Sequence, residues 1–93
     1  MAETKKTVRS IIHGRVQGVF FRDTAGQVAR RLNIKGSALN LSDGTLEIVA
    51  EGTPEAVKKF QSWLMIGPDM ATVTKVETVD LESQIEFKDF RIG

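Results

Sequence analysis

Two glycines and an arginine at four-residue spacing, Gly14, Gly18 and Arg22, are the residues of this chain best suited to chemistry. Glycine permits backbone conformations closed to other residues, so several N–H groups of this segment can turn toward one point. A helical pattern follows, and the first amides of a helix have no intrahelical acceptors and lie at the positive end of its dipole. The planar guanidinium of Arg22 can hold two oxygens of a tetrahedral phosphate at once. Residues 14–22 therefore predict a cradle for a doubly charged oxyanion.

Each polar candidate also has a plainer interpretation. Arg22 could be a solvated arginine at a helix start, but cations are disfavoured beside a helix N-terminus, and this position favours a bound anion. Asn40 could be a turn residue at a strand end, and its residue type alone favours that reading. His13 lies on a predicted strand with no evident carboxylate partner. We interpret it as a surface or packing residue rather than a general base.

The remaining residue types indicate neither a stacking surface nor a metal site. The aromatic residues fit a packing role in the core or in loops, and they are Phe20, Phe21, Phe60, Trp63, Phe87 and Phe90. Acidic residues are scattered without metal-ligand spacing, and the sequence contains no cysteine. We therefore expect no metal and no cofactor.

The pattern of apolar and turn residues predicts how the elements are arranged. In chain order we expect a strand over Thr7–His13 ended by Gly14, a helix over about 22–33, strands over Ser37–Leu41 and Leu46–Glu51, a helix from Thr53 to Gly67-Pro68, a strand over Ala71–Leu81 with a bulge near Lys75, and a closing strand over Glu86–Ile92. This order, β-α-β-β-α-β followed by a short fifth strand, predicts an α+β, ferredoxin-like split βαβ sandwich. Two helices would cover one face of an antiparallel sheet.

Length and composition predict one domain over residues 1–93, with residues 1–6 as a flexible tail. The sequence is 41% apolar and 27% charged, which is typical of a globular protein. A net charge of +1 gives no electrostatic footprint for nucleic acid or an acidic membrane surface. No apolar run approaches the roughly 18 residues of a membrane span. We expect a cytoplasmic monomer with no nucleic-acid or membrane partner.

Residues Gly14–Arg22 resemble the first signature of the acylphosphatase family. A second run, Gly36-Ser37-Ala38-Leu39-Asn40 followed by Gly44 and Gly52, resembles the family's second signature. The similarity extends over nearly the whole chain after residue 6. Two positions depart from the pattern: Ser37 replaces the usual aromatic residue, and Leu39 replaces a residue that is often basic or polar.

This resemblance implies hydrolysis of acyl phosphates, which are small carboxyl-phosphate anhydrides, to a carboxylate and inorganic phosphate. It implies that Arg22 and Asn40 are catalytic, with Asn40 orienting the attacking water. The phosphate would be held by the backbone amides and guanidinium of one segment, namely Gln17, Gly18, Val19, Phe20, Phe21 and Arg22. Inorganic phosphate would be both the product and a competitive ligand.

Two alternatives remain at this point. The departures at Ser37 and Leu39 leave open a domain that binds phosphate with little turnover. Ferredoxin-like domains also serve as ligand-binding or RNA-binding modules, and fold alone cannot choose. An RNA module would need aromatic residues on the open sheet face and a basic field. The residues predicted there are instead Arg9, Ile11, His13, Glu47, Val49 and Glu51.

Overall fold

The computed structural model describes residues 5–82 and 87–93, which form two helices and five strands. The elements are β1 (Lys6–Arg15), α1 (Phe21–Arg31), β2 (Lys35–Asn40), β3 (Leu46–Gly52), α2 (Pro54–Leu64), β4 (Thr72–Asp80) and β5 (Phe90–Ile92). The predicted β-α-β-β-α-β order is confirmed. The closing strand is shorter than expected, and Glu86, where we placed its start, lies outside the described residues. Neither described helix is long and apolar enough to cross a membrane.

β1 is longer than predicted at both ends. It begins at Lys6, inside the segment that we expected to be a tail, and it continues through Gly14, which we expected to end it. Gly14 pairs with Val73 across a register shift that leaves Thr74 as an extra residue of β4, next to the bulge predicted near Lys75. A Cβ on Gly14 would lie 2.0 Å from the carbonyl oxygen of Thr72. This glycine therefore permits close approach of β4.

The sheet has the strand order β4-β1-β3-β2-β5. Neighbouring strands are antiparallel except for β2 and β5, which run parallel with Gly36 opposite Phe90. Our expectation of an antiparallel sheet was therefore wrong for the last strand. The end of β4 and the start of β2 lie at the same end of the sheet. β5 pairs with β2 at the opposite edge of the sheet from β4 and runs in the direction of β2.

The core lies between the helices and one face of the sheet. Alternate residues of β1, Val8, Ser10 and Ile12, are buried, as their pattern predicted. The buried Ser10 hydroxyl is satisfied by the Thr78 hydroxyl at 2.8 Å. Three aromatic contacts link the helices to β5 through Phe21, Trp63, Phe60 and Phe90. The core thus fixes the start of α1, where the cradle is predicted.

Local signals define the helix ends. The Thr53 hydroxyl accepts a hydrogen bond from the Ala56 amide at 3.1 Å, with Pro54 in the first turn, as predicted. α1 ends at Arg31, two residues before its predicted end. Asn33 adopts the left-handed conformation, with φ of 57°, and so ends the helical path.

Candidate phosphate-binding site

The loop Val16–Phe20 connects β1 to α1 and is called the cradle loop below. Gly18 has φ of 73°, and nothing lies within 4 Å of the position of a Cβ, so its constraint is backbone conformation rather than space. The second left-handed residue is Phe20, with φ of 62°. Our expectation that Gly14 shapes the cradle was wrong, because Gly14 lies within β1.

Side chains hold the cradle loop in place. Val16 and Val19 are buried in the core. The Gln17 side-chain amide donates to the carbonyl oxygens of Leu41 at 2.8 Å and Thr45 at 2.9 Å. These bonds tie the cradle loop to the β2–β3 turn, which begins directly after Asn40 at the end of β2.

The β2–β3 turn is itself fixed by Asp43. One of its carboxylate oxygens accepts hydrogen bonds from the Thr45 amide at 3.0 Å and the Thr45 hydroxyl at 2.5 Å. These hydrogen bonds lower the pKa of Asp43 below its ordinary value. The Asp-Gly step thus supplies the hairpin turn that the sequence predicted, and the position of Asn40 follows from it.

The start of α1 directs a positive field into the site. The first helical hydrogen bond runs from the Thr24 amide to the Phe20 carbonyl oxygen at 3.1 Å, and the Thr24 hydroxyl donates to the same oxygen at 2.8 Å. The amides of Phe21, Arg22 and Asp23 precede that bond, so they have no intrahelical acceptor. Phe20 supplies no side-chain cap. This helix start is therefore open to an anion.

These elements enclose a cavity of about 270 Å³, lined by Val16, Gly18, Phe20, Phe21, Arg22, Asp23 and Asn40. It brings together five of the seven predicted site residues. The other two, Gln17 and Val19, do not line it; Gln17 braces the loop and Val19 anchors it in the core. Sequence reasoning missed Val16 and Asp23. Asp23 could have been found from the sequence, because it lies in the first turn of the predicted helix that follows the cradle.

The guanidinium of Arg22 has a partner that the sequence did not predict. The side chain is partly buried, and its Nη1 donates to the carbonyl oxygen of Gly93. Gly93 directly follows β5, so the closing strand helps to position Arg22. A guanidinium carries five N–H donors, and this contact leaves others available for an anion.

His13 lies apart from the cavity, on the open face of the sheet. Its Nε2 lies 2.6 Å from a carboxylate oxygen of Glu77, and Lys75 lies 3.9 Å from the same oxygen. The sequence showed no carboxylate partner for His13, because the partner is on β4, far along the chain. These contacts support the surface role that we assigned to His13.

A larger cavity, of about 800 Å³, lies beside β5. Ser37 and Leu39, the two positions that depart from the family pattern, both line it. Their side chains point away from the core because they alternate with the buried Ala38. The two cavities share no lining residue, so neither of these positions lines the cavity of Arg22 and Asn40, although Leu39 lies next to Gly93.

The fold and the site define a ferredoxin-like α+β protein with a cavity at the uncapped helix start that follows its first strand. The acylphosphatase family model matches residues 8–92. The chain belongs to the acylphosphatase family, and its function is the hydrolysis of acyl phosphates. Neither alternative is favoured, the phosphate-binding domain with little turnover or the RNA-binding or other ligand-binding module.

Individual relatives are similar over most of their length. An acylphosphatase from Pyrobaculum aerophilum is 49% identical over 87% of this chain and 86% of its own. An acylphosphatase from Hahella chejuensis is 43% identical over 88% of this chain and 87% of its own. The structure of an acylphosphatase from Coxiella burnetii matches with a TM-score of 0.90 and 32% identity, over 96% of this chain and 93% of that one.

Proposed function

We propose that the 270 Å³ cavity holds the phosphoryl group of an acyl phosphate, and that Arg22 and Asn40 act on it from opposite elements. This proposal rests on the observation that both residues line this cavity together with an uncapped helix start. The free amides of the cradle loop and of α1, with the Arg22 guanidinium, bind the phosphoryl oxygens. The Asn40 side chain orients the attacking water.

The chemistry suits a site of this kind. The water oxygen forms a bond to phosphorus while the bond between phosphorus and the acyl oxygen breaks, and the carboxylate leaves with the electron pair. The proton of the water passes to a phosphoryl oxygen of the substrate itself. A carboxylate is a good leaving group, so the loose transition state needs positioning and charge stabilisation more than a strong base.

The size of the cavity also supports this assignment. Pockets that enclose drug-sized ligands measure roughly 300 to 1,000 Å³, and this cavity lies just below that range. A phosphoryl group fits within it, with room beside it for part of the acyl group. Inorganic phosphate, the product, then competes with substrate for the same donors.

Release of phosphate from benzoyl phosphate tests the proposal. We expect turnover by the wild type, competitive inhibition by phosphate, and loss of at least a hundredfold in kcat/KM in Arg22→Ala. The substitution removes charge-assisted hydrogen bonds worth about 1.5 to 3 kcal/mol each in the transition state. Circular dichroism should show that the variant remains folded.

Arg31→Ala is the matched control, since it removes the same charge from the other end of α1, where the side chain is exposed. We expect it to retain most of the activity. Equal losses in the two variants would reject a specific role for Arg22. Phosphate binding without release of phosphate from benzoyl phosphate would instead support the binding domain with little turnover.

We also propose, as the sequence led us to expect, that the protein is a monomer and acts in the cytoplasm on a small molecule. Its support is the net charge of +1, which gives no field for a polyanionic partner, together with a site formed by one chain. Size-exclusion chromatography at micromolar concentration tests the oligomeric state.

A further inference from the structure

We propose that the side chain of Phe20 binds the acyl part of the substrate, so that this enzyme prefers acyl phosphates with an aromatic or bulky apolar acyl group. The inference rests on the proposed placement of the phosphoryl group in the 270 Å³ cavity. Our sequence analysis gave every aromatic residue a packing role in the core or in loops. Phe20 is the one that the structure leaves exposed, and the proposal gives it a role.

Phe20 is 71% exposed and lines the cavity. The other two apolar side chains among the seven lining residues, Val16 and Phe21, are each only 1% exposed and form part of the core. Single exposed apolar residues are common on protein surfaces and need no explanation by themselves. At Phe20 the exposure coincides with the mouth of the site that contains Arg22 and Asn40.

The backbone of Phe20 gives a second, independent observation. Its φ of 62° and ψ of 23° lie in the left-handed region, which glycine or asparagine adopts at lower cost than an aromatic residue. Strained residues of this kind cluster at functional sites. In the free protein neither the strain nor the exposed ring is favourable. An apolar group placed over the ring would remove water from both surfaces and make the aromatic side chain favourable there.

The backbone of Phe20 is also held in position by residues that follow it along the chain. The Phe20 carbonyl oxygen accepts hydrogen bonds from the amide and hydroxyl of Thr24. The next residue, Phe21, is buried and packs edge-to-face on Trp63 at 5.4 Å between ring centroids. Because the backbone at Phe20 is already fixed, only the side chain loses conformational freedom when a ligand binds.

The lining of the cavity indicates where the acyl group can lie. With the phosphoryl group beside Arg22 and the start of α1, the rest of the 270 Å³ is open to the acyl group, and Phe20 lines it. Phe20 is the exposed apolar side chain among the residues that line the cavity. The competing location is the cavity of about 800 Å³, whose lining includes Leu39 at 37% exposure. These two locations make different predictions for substitutions at Phe20 and Leu39.

The test is the ratio of kcat/KM for benzoyl phosphate to kcat/KM for acetyl phosphate. Acetyl phosphate carries the same phosphoryl group but only a methyl group on the acyl side. We expect the ratio to fall about tenfold in Phe20→Ala, the size of effect that one good apolar contact produces. Phe20→Leu should give an intermediate ratio. Alanine and leucine carry a Cβ, as phenylalanine does, so the cost of the left-handed backbone at position 20 is similar in the variants and in the wild type.

Leu39→Ala is the comparison variant, and its ratio should equal that of the wild type. A ratio that changes in Leu39→Ala and not in Phe20→Ala would overturn the proposal and place the acyl group in the larger cavity. An unchanged ratio in all variants would also overturn it. Failure of the wild type to hydrolyse either substrate would reject the proposed function itself, so the two failures are distinguishable.

Discussion

Asn40 presents its side chain on the same cavity as Arg22, but without charge and from the end of β2. A residue that orients water affects the chemical step more than the binding of the phosphoryl group. We expect Asn40→Ala to lower kcat by about a hundredfold or more, with a much smaller change in KM. Steady-state kinetics with benzoyl phosphate measure both constants. A raised KM with unchanged kcat would make Asn40 a substrate ligand.

His13→Gln is the control for that measurement. His13 contacts Glu77 on the open face of the sheet and does not line the cavity, so most of the activity should remain. A near-complete loss of activity would support the role of general base for His13, which our sequence analysis rejected.

At the level of single residues, Arg22 could be predicted to lie at the site because a cation is disfavoured beside a helix start, and Asn40 because its spacing matches a family signature. The contact from Arg22 to Gly93 could not be predicted, since it depends on where β5 brings the end of the chain. The exposure of Phe20 was equally hidden. An aromatic residue beside a buried aromatic residue gives no sign of which one points outward until the left-handed backbone is known.

At the level of elements, the cradle loop depends on the conformation of Gly18. Alanine at this position meets no atom within 4 Å, but it must adopt φ near 73°. Gly44, in the β2–β3 turn, has the same open surroundings and φ of 91°. Each alanine substitution should therefore destabilise the fold by about 1 to 2 kcal/mol, measured by urea unfolding.

The two variants should differ in function. Gly18→Ala distorts the cradle, and we expect phosphate to inhibit it at least tenfold more weakly, with kcat/KM for benzoyl phosphate reduced as much. Gly44→Ala does not alter a residue that lines the cavity. Similar loss of inhibition in both variants would show that the effect comes from general destabilisation and that Gly18 has no special place in the cradle.

Most elements followed from local patterns. Thr53 and Pro54 started α2 as predicted, and the Asp43-Gly44 step joined β2 to β3. The errors lie where a neighbouring strand decides the outcome. β1 continues through Gly14 because β4 pairs with it beyond the bulge, and no property of residues 6–15 alone specifies that pairing.

For the whole molecule, the β-α-β-β-α-β order could be predicted because each element has a clear period and boundary. The parallel pairing of β5 could not, because a three-residue strand carries no sign of its direction. It depends on the path of the chain from one sheet edge to the other. That path brings Gly93 to Arg22, so a global feature completes a local site.

The net charge of the whole chain is only +1, so anion binding must come from the site and not from a general positive field. A ligand that binds only the native state stabilises it by RT ln(1 + [L]/Kd), about 1.4 kcal/mol at ten times Kd. For a domain of this size, inorganic phosphate should then raise Tm by roughly 6 to 11 °C, which calorimetry can measure.

Phosphate also stabilises proteins by exclusion from their surfaces, so the shift in Tm is informative only against Arg22→Ala at equal ionic strength. Exclusion depends on total surface area, which the two proteins share, whereas the cradle contribution depends on the guanidinium. The wild type should therefore gain several degrees more than the variant. EDTA should leave this difference intact, because the donors proposed here are amides and a guanidinium. Equal gains would mean that the cradle binds no phosphate, and a difference abolished by EDTA would mean that a metal ion takes part.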